Sequence, residues 1–204
     1  MSPVARTHWV TFGCNGTLVE STGTRNAVEA FRQTDSVHLF EDVEAMLAEL
    51  RSQGFRLAVL TNCHDRVFEA IHRRFAKPFD LFVTAERVRG YKPCRWHFRA
   101  FELLTRVARH DWVHVGCSVY HDVAPAEAFG VKGVWLDRHP STRGARSPLD
   151  DARGDPELVE GSGPARTGDH PSAVSAHVRS AREAVEAVVA LAITREGRQP
   201  LGAA

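Results

Sequence analysis

The residue types able to do chemistry gather in four short loops: Gly13-Cys14-Asn15-Gly16-Thr17, Thr61-Asn62-Cys63-His64-Asp65, Gly90-Tyr91-Lys92-Pro93, and Gly116-Cys117-Ser118 followed by His121 and Asp122. Thr61 offers a hydroxyl, the backbone N–H groups near Asn62 open a helix, Lys92 brings a positive charge and Ser118 adds a donor. Together they suit the grip of a small anion. Asp122 and His121 stand beside that set as proton acceptors. Lysine is rare in this chain, with Lys77, Lys92 and Lys132 alone among 26 basic residues. A lysine retained between Tyr91 and Pro93 therefore reads as a site residue rather than a solvated surface one. Ordinary duties compete: Asp122 also suits the cap of a following helix, and Thr61 and Asn62 suit a turn that ends a strand. Cys14, Cys63 and Cys117, with His64 and His121, crowd the same loops, which raises a soft-metal site or a Cys117 nucleophile assisted by His121. No CxxC or other ligand spacing is present, so the cysteines read as small fillers and no metal site is expected.

The elements that must hold these loops follow from apolar patterning. His8 to Phe12, Phe55 to Leu60, Phe79 to Val83, Trp112 to Val115 and Lys132 to Leu136 are short apolar runs that predict buried strands. Two helical segments are expected after the first strand. The second, Glu41 to Gln53, places Val43, Met46, Leu47 and Leu50 at helical spacing before the stop signal Gly54. Helices are also expected from Asp65 to about Arg74, from about Arg95 to Arg109, briefly after the Gly116 loop, and from Ala181 to Ile193, with an edge strand at Ala176 to Arg179. Strands alternating with helices imply an α/β fold, a three-layer Rossmann-like parallel sheet with helices on both faces and its ligands at the carboxyl ends of the strands. In the first loop, strand alternation sends Cys14 and Gly13 to opposite sides. The chain reads as one domain: a core over 1–138, a mobile Pro/Gly/Arg-rich loop over 139–171, and a final strand and helix over 172–204 that complete the core.

Composition narrows the functions available. Of 204 residues, 43% are hydrophobic and 25% charged, with a formal net charge of +1 and no dense basic run, which argues against a nucleic-acid partner. No stretch approaches the ~20 apolar residues of a membrane span, and the N-terminus lacks the apolar core of a signal peptide. The expected location is cytoplasmic, with reduced thiols.

The order of motifs carries a resemblance. Val10-Thr-Phe-Gly-Cys-Asn-Gly-Thr-Leu-Val19, Leu57-Ala-Val-Leu-Thr-Asn62, Tyr91-Lys-Pro93 and His114-Val-Gly-Cys-Ser-Val-Tyr-His-Asp-Val-Ala-Pro125 resemble the four motifs of the haloacid dehalogenase-like (HAD) superfamily, most closely its 2-haloacid dehalogenase branch. The resemblance implies an Asp nucleophile in the first loop, which becomes esterified and is then hydrolysed. In phosphatase relatives it implies a second Asp two residues later as acid/base. The matching positions here are Gly13 and Asn15. A hydrogen cannot attack carbon or phosphorus, and Asn15 cannot trade protons near neutral pH. Cys117 stands where phosphatase relatives supply an acidic metal ligand, leaving Asp122, so a magnesium cofactor is not expected.

The interval Thr17 to Thr61 is short for the helical cap of dehalogenases, so a capless site is expected, open to a partner protein or a carrier-bound substrate. Gly13 should leave room for about one carboxylate and remove a like charge, worth up to ~4 kcal/mol at ~4 Å and an effective dielectric of ~20. The resulting expectation is a degenerate site that binds a small carboxylate or phosphate group through Gly13, Asn15, Thr61, Asn62, Lys92 and Ser118. It would be repurposed for non-covalent chemistry in specialised metabolism, with Lys92 as the electrostatic group and Asp122 or His121 as proton acceptor. A non-catalytic partner protein and a residual dehalogenase- or phosphatase-type hydrolase are the alternatives.

Overall fold

Six short strands lie side by side, every neighbouring pair parallel, in the order β5-β4-β1-β6-β7-β8. The computed structural model describes residues 8–21, 37–138 and 174–193. β1 (Trp9–Phe12) is followed by β2 (Val19–Ser21) and β3 (Val37–Leu39), then α1 (Val43–Ser52) and β4 (Arg56–Thr61). Next come α2 (Asp65–His72), β5 (Leu81–Thr84), α3 (Ala85–Val88) and α4 (Trp96–Thr105). β6 (Trp112–Gly116) leads through a π-turn (Val119–Val123) into α5 (Ala124–Phe129), β7 (Lys132–Leu136), β8 (Ala176–Val178) and α6 (Ala181–Ile193).

β1 is buried along its whole length because both of its faces are covered. Val10, Phe12 and Cys14 point into one apolar cluster with Leu47, Leu50, Val59, Phe68 and Val115, while Trp9 joins Leu60, Phe98, Phe101 and Trp112 in the other. This two-faced burial selects near-continuous apolar strands. α1 buries Val43, Met46, Leu47 and Leu50, the stripe that its spacing predicts. α6 buries Ala181, Ala184 and Val188 against the same layer. It also docks by a hydrogen bond from the Ala181 N–H to Asp42 Oδ2 at 3.3 Å, across 139 positions of sequence.

The strand and helix expectations hold to within a few residues, with two differences. Of the two helical segments expected after β1, the second is α1, and the interval for the first falls on residues 22–36, outside the described set; β2 and β3, which flank that interval, form a small antiparallel ribbon that the patterning did not predict. A single turn of helix, α3, also interrupts the loop after β5. The expected loop over 139–171 lies outside the described residues; beyond it, β8 pairs parallel with β7 at the edge of the sheet. No helix among the described residues is long and apolar enough to cross a membrane.

Chain order reverses between β1 and β6: from β1 the chain builds outward through β4 and β5, then returns to β6 on the other side. The crevice beyond the carboxyl ends of β1 and β6 is where such sheets take ligands. It holds the loops that contain Gly13 and Asp122.

Packing on the second face can be tested directly. Phe98 is fully buried against the rings of Trp112, His114 and Phe129, whereas Leu104 on the same helix is 65% exposed. Phe98→Ala should lower the unfolding free energy by about 3–5 kcal/mol, and Leu104→Ala should change it by no more than about 0.5 kcal/mol, as read from urea denaturation.

Candidate functional site

The first loop turns sharply because Gly16 takes φ 74°, which lets the N–H groups of Thr17, Leu18 and Val19 all reach back to the Cys14 carbonyl. Thr17 Oγ1 then accepts the Cys117 N–H at 2.9 Å and joins the first loop to the fourth. The fourth loop folds back over the strand ends in the π-turn, with Ser118 Oγ accepting the His121 N–H at 3.1 Å. Gly116 makes this fold-back possible: a Cβ there would stand 2.2 Å from Cβ of Asp122.

Asp122 thereby reaches Lys92. Their carboxylate and ammonium form a buried ion pair, each side chain 5% exposed, and Lys92 Nζ also donates to the Leu60 carbonyl at 2.8 Å. Asn62 fixes the lysine's backbone from both sides: its Oδ1 accepts the Lys92 N–H at 2.6 Å and its Nδ2 donates to the Lys92 carbonyl at 3.2 Å. The Lys92–Pro93 peptide bond is cis.

Behind the pair runs a polar chain inside the second apolar face. Trp112 Nε1 donates to Thr11 Oγ1 at 2.7 Å, Thr11 Oγ1 and His114 Nδ1 lie 2.8 Å apart, and His114 Nε2 lies 3.4 Å from Asp122 Oδ1. His97, also fully buried, donates from Nε2 to the Thr61 carbonyl at 3.0 Å, and its Nδ1 has no partner among the described residues.

Electrostatics follow from this burial. Burial alone would push the Asp122 carboxyl up, but the adjacent Lys92 charge and the His114 hydrogen bond hold it well below the usual carboxylate range. Burial, helped by Lys92, pushes His97 down to about 3; His114 is also lowered by burial, against the pull of Asp122. Near neutral pH the Asp122 carboxylate is thus ionised and the two buried imidazoles are neutral.

The predicted residues divide accordingly. Lys92 and Asp122 come together, and Gly13 lies beside them. Asn62 serves as the lysine's clamp. The Thr61 hydroxyl accepts the Cys63 N–H at 3.1 Å, and the Ser118 hydroxyl holds the π-turn. His121 packs on Tyr120 and sits 3.2 Å from Ser118 Oγ. The Asn15 carbonyl accepts a hydrogen bond from Cys117 Sγ at 3.3 Å. Cys14 and Cys63 are buried in the apolar cluster opposite Gly13, as alternation requires; a hydrogen bond to Cys63, with burial, pushes the Cys14 thiol well up.

One expectation needs correcting. The space at Gly13 is not open: a Cβ there would meet Asp122 Oδ2 and Thr17 Oγ1 at 3.0 Å and Asp122 Oδ1 at 3.1 Å. Neighbouring side chains have closed over the glycine. Sequence reasoning gave His114, His97, Thr11 and Trp112 no role. Their polar atoms on otherwise apolar strands and a helix were the available signal.

The same residues fit a magnesium ion poorly. Asp122 spends its oxygens on Lys92, His114 and the Ser118 N–H, Gly13 has no side chain, and Cys117 supplies a soft sulfur where a hard oxygen is needed. Among the described residues no three His, Cys, Asp or Glu side chains gather for a metal.

Residues 19–136 match the family model described as haloacid dehalogenase-like hydrolase. Haloacetate dehalogenase H-2 of Moraxella sp. (strain B) is 28% identical over 102 residues, covering 49% of this chain and 45% of that protein. A phosphoserine phosphatase of Thermus thermophilus is 35% identical over 117 residues, covering 56% and 47%. The chain thus spans about half the length of the curated relatives it matches. An uncharacterized protein from Listeria monocytogenes serotype 4b superposes with a TM-score of 0.66 at 18% identity, over 90% of this chain and 98% of the other. A 2-haloacid dehalogenase from Pseudomonas syringae does so at 0.61 and 15%, over 90% and 99%. At those identities the likeness is one of fold.

Two outcomes are expected. Gly13→Asp should destabilise the protein by about 1–3 kcal/mol in urea denaturation, because the new side chain meets the Asp122 carboxylate and the Thr17 hydroxyl. The second concerns pH. His97 and His114 refuse protons that the unfolded chain accepts below about pH 6.5, so stability is full above that pH and falls on acidification toward 3. Asp122, whose folded value is depressed, adds to the loss once the unfolded carboxylate begins to protonate near pH 4. The slope from His97 should reach about 1 kcal/mol per pH unit, with His114 acting in the same direction, and His97→Gln should flatten it, as read from urea midpoints between pH 7 and pH 4.

Proposed function

The chain belongs to the haloacid dehalogenase-like hydrolase family, and from that premise we propose that it is a member with a degenerate site. In this reading it holds a small carboxylate or phosphate group beside Lys92 and never becomes covalently bonded to it. The observation that supports the reading is Gly13, which the motif resemblance puts at the nucleophile's place: it has no side chain, and the Asp122 carboxylate and Thr17 hydroxyl close around it. Position 13 itself therefore offers no atom to attack carbon or phosphorus.

The charges support binding without attack. Among the described residues Lys92 pairs with Asp122 alone, so an incoming anion meets no second carboxylate there such as a nucleophile would supply. Two of the three Nζ hydrogens are taken by Asp122 and the Leu60 carbonyl, and the third has no acceptor among the described residues. That hydrogen is the one a guest oxygen would accept. Lys92 stabilises negative charge on the guest, Asn62 keeps the lysine backbone in place, and Asp122 is the nearest proton acceptor. Such an arrangement suits a non-covalent step in which charge develops on an oxygen, such as an enolisation or a condensation in specialised metabolism.

A second reading, a docking protein for a macromolecule or a carrier-bound substrate, draws on one observation. Tyr91, Trp96 and Tyr120, in or next to the third and fourth loops, are each 49% exposed. Exposed aromatic side chains are enriched at protein interfaces.

Thermal-shift titration with phosphate and malonate separates the readings. Either anion should raise the melting temperature of the wild-type protein, and Lys92→Ala should abolish the rise. No rise with either anion favours the docking reading. Turnover of 2-chloropropionate or nitrophenyl phosphate, with an esterified or phosphorylated residue found by mass spectrometry, would overturn both.

A further inference from the structure

We infer that His114 is a positioning residue for the Lys92–Asp122 pair, locked by Thr11 and Trp112 into the neutral tautomer that carries its hydrogen on Nε2. The inference rests on the anion-site reading for its purpose but not for its geometry. β1 and β6 run parallel in a register that sets Thr11 directly opposite His114, so the contact is built into the sheet. Both side chains and Trp112 are fully buried, which removes water as a substitute partner.

Hydrogen counting settles the direction of each bond. The indole Nε1–H of Trp112 can only donate, and it does so to Thr11 Oγ1 at 2.7 Å. The Thr11 hydroxyl has one hydrogen of its own. If it donates to His114 Nδ1, 2.8 Å away, that nitrogen must be the unprotonated one. Nε2 then carries the hydrogen and donates toward Asp122 Oδ1, 3.4 Å away. The opposite tautomer leaves the hydroxyl hydrogen without its acceptor and turns a lone pair of Nε2 toward an anionic oxygen. Only one arrangement places every hydrogen.

The same carboxylate oxygen, Oδ1, takes the hydrogens of both Lys92 and His114. His114 thus approaches Asp122 from the sheet side while Lys92 binds it from the loop side, and the carboxylate is held between them. Without that support, Asp122 would be restrained by the Ser118 N–H, at 3.4 Å, and by Lys92 alone. A carboxylate free to turn would draw the ammonium with it and away from a guest anion. Fixing an ionic group through a buried histidine whose tautomer is set from behind is a general means of pre-organising a site.

The test uses the full chain labelled with 15N at histidine. Long-range 1H–15N correlation spectra should show His114 with a protonated Nε2 and an unprotonated Nδ1, the signals being assigned by their loss in His114→Gln. Thr11→Val, which removes the donor to Nδ1, should abolish the single-tautomer signature and weaken phosphate binding roughly tenfold. Thr11→Ser, which keeps the hydroxyl, should preserve both. A wild-type spectrum with the hydrogen on Nδ1, or a Thr11→Val spectrum identical to wild type, would overturn the inference. The wild-type spectrum needs no variant to fold and no ligand to bind. A protein with the Nε2–H signature that ignores every anion would therefore sustain this inference while removing the anion-site reading.

Discussion

A lysine and an aspartate buried against each other set the terms for everything around them. Taking two such charges out of water costs several kcal/mol each, and their attraction repays this only where geometry is good and the remaining hydrogens and lone pairs are used. The surroundings of Lys92 and Asp122 meet those conditions from every side: the Leu60 carbonyl, the two-pronged hold of Asn62, the π-turn pinned by Ser118, and His114 behind. Glycines at 13 and 116 supply the clearance, since side chains at either would run into the aspartate. The loops at the carboxyl edge are thus shaped by an electrostatic need as much as by the turns that end the strands.

How far the sequence disclosed this depends on the range of the interaction. Strands such as Leu57 to Leu60 and the stripe Val43, Met46, Leu47, Leu50 are local patterns, and local patterns are legible. Lys92 stood out because lysine is scarce in this chain, and Asp122 because it closes the fourth motif. Thr11, Trp112 and His114 did not stand out. Their meaning comes from a strand register joining positions about a hundred residues apart, which no window of sequence contains. The closing of space at Gly13 was illegible for the same reason: a missing side chain says what is absent, and only packing says what moves in. β2 and β3 are each three residues long, too short for alternation to register.

The relation between this chain and its relatives separates scaffold from chemistry. The sheet superposes on structures of under 20% identity, because two-faced burial accepts many apolar residues. Chemistry in such folds sits in the loops at the strand ends, which can vary while the sheet stays intact, and this is why a fold assignment alone does not name an activity.

The joining of α6 to α1 through Asp42 and Ala181 has a consequence for biosynthesis. Val178, Ala181, Ala184 and Val188 lie in the same apolar cluster as Val43, Met46 and Leu47. These partners emerge from the ribosome far apart in time, so the first layer of helices waits with part of its oily side uncovered while the intervening chain is made. During that interval the nascent chain presents a sticky surface that chaperones can recognise, and the later-made α6 is the helix that covers it.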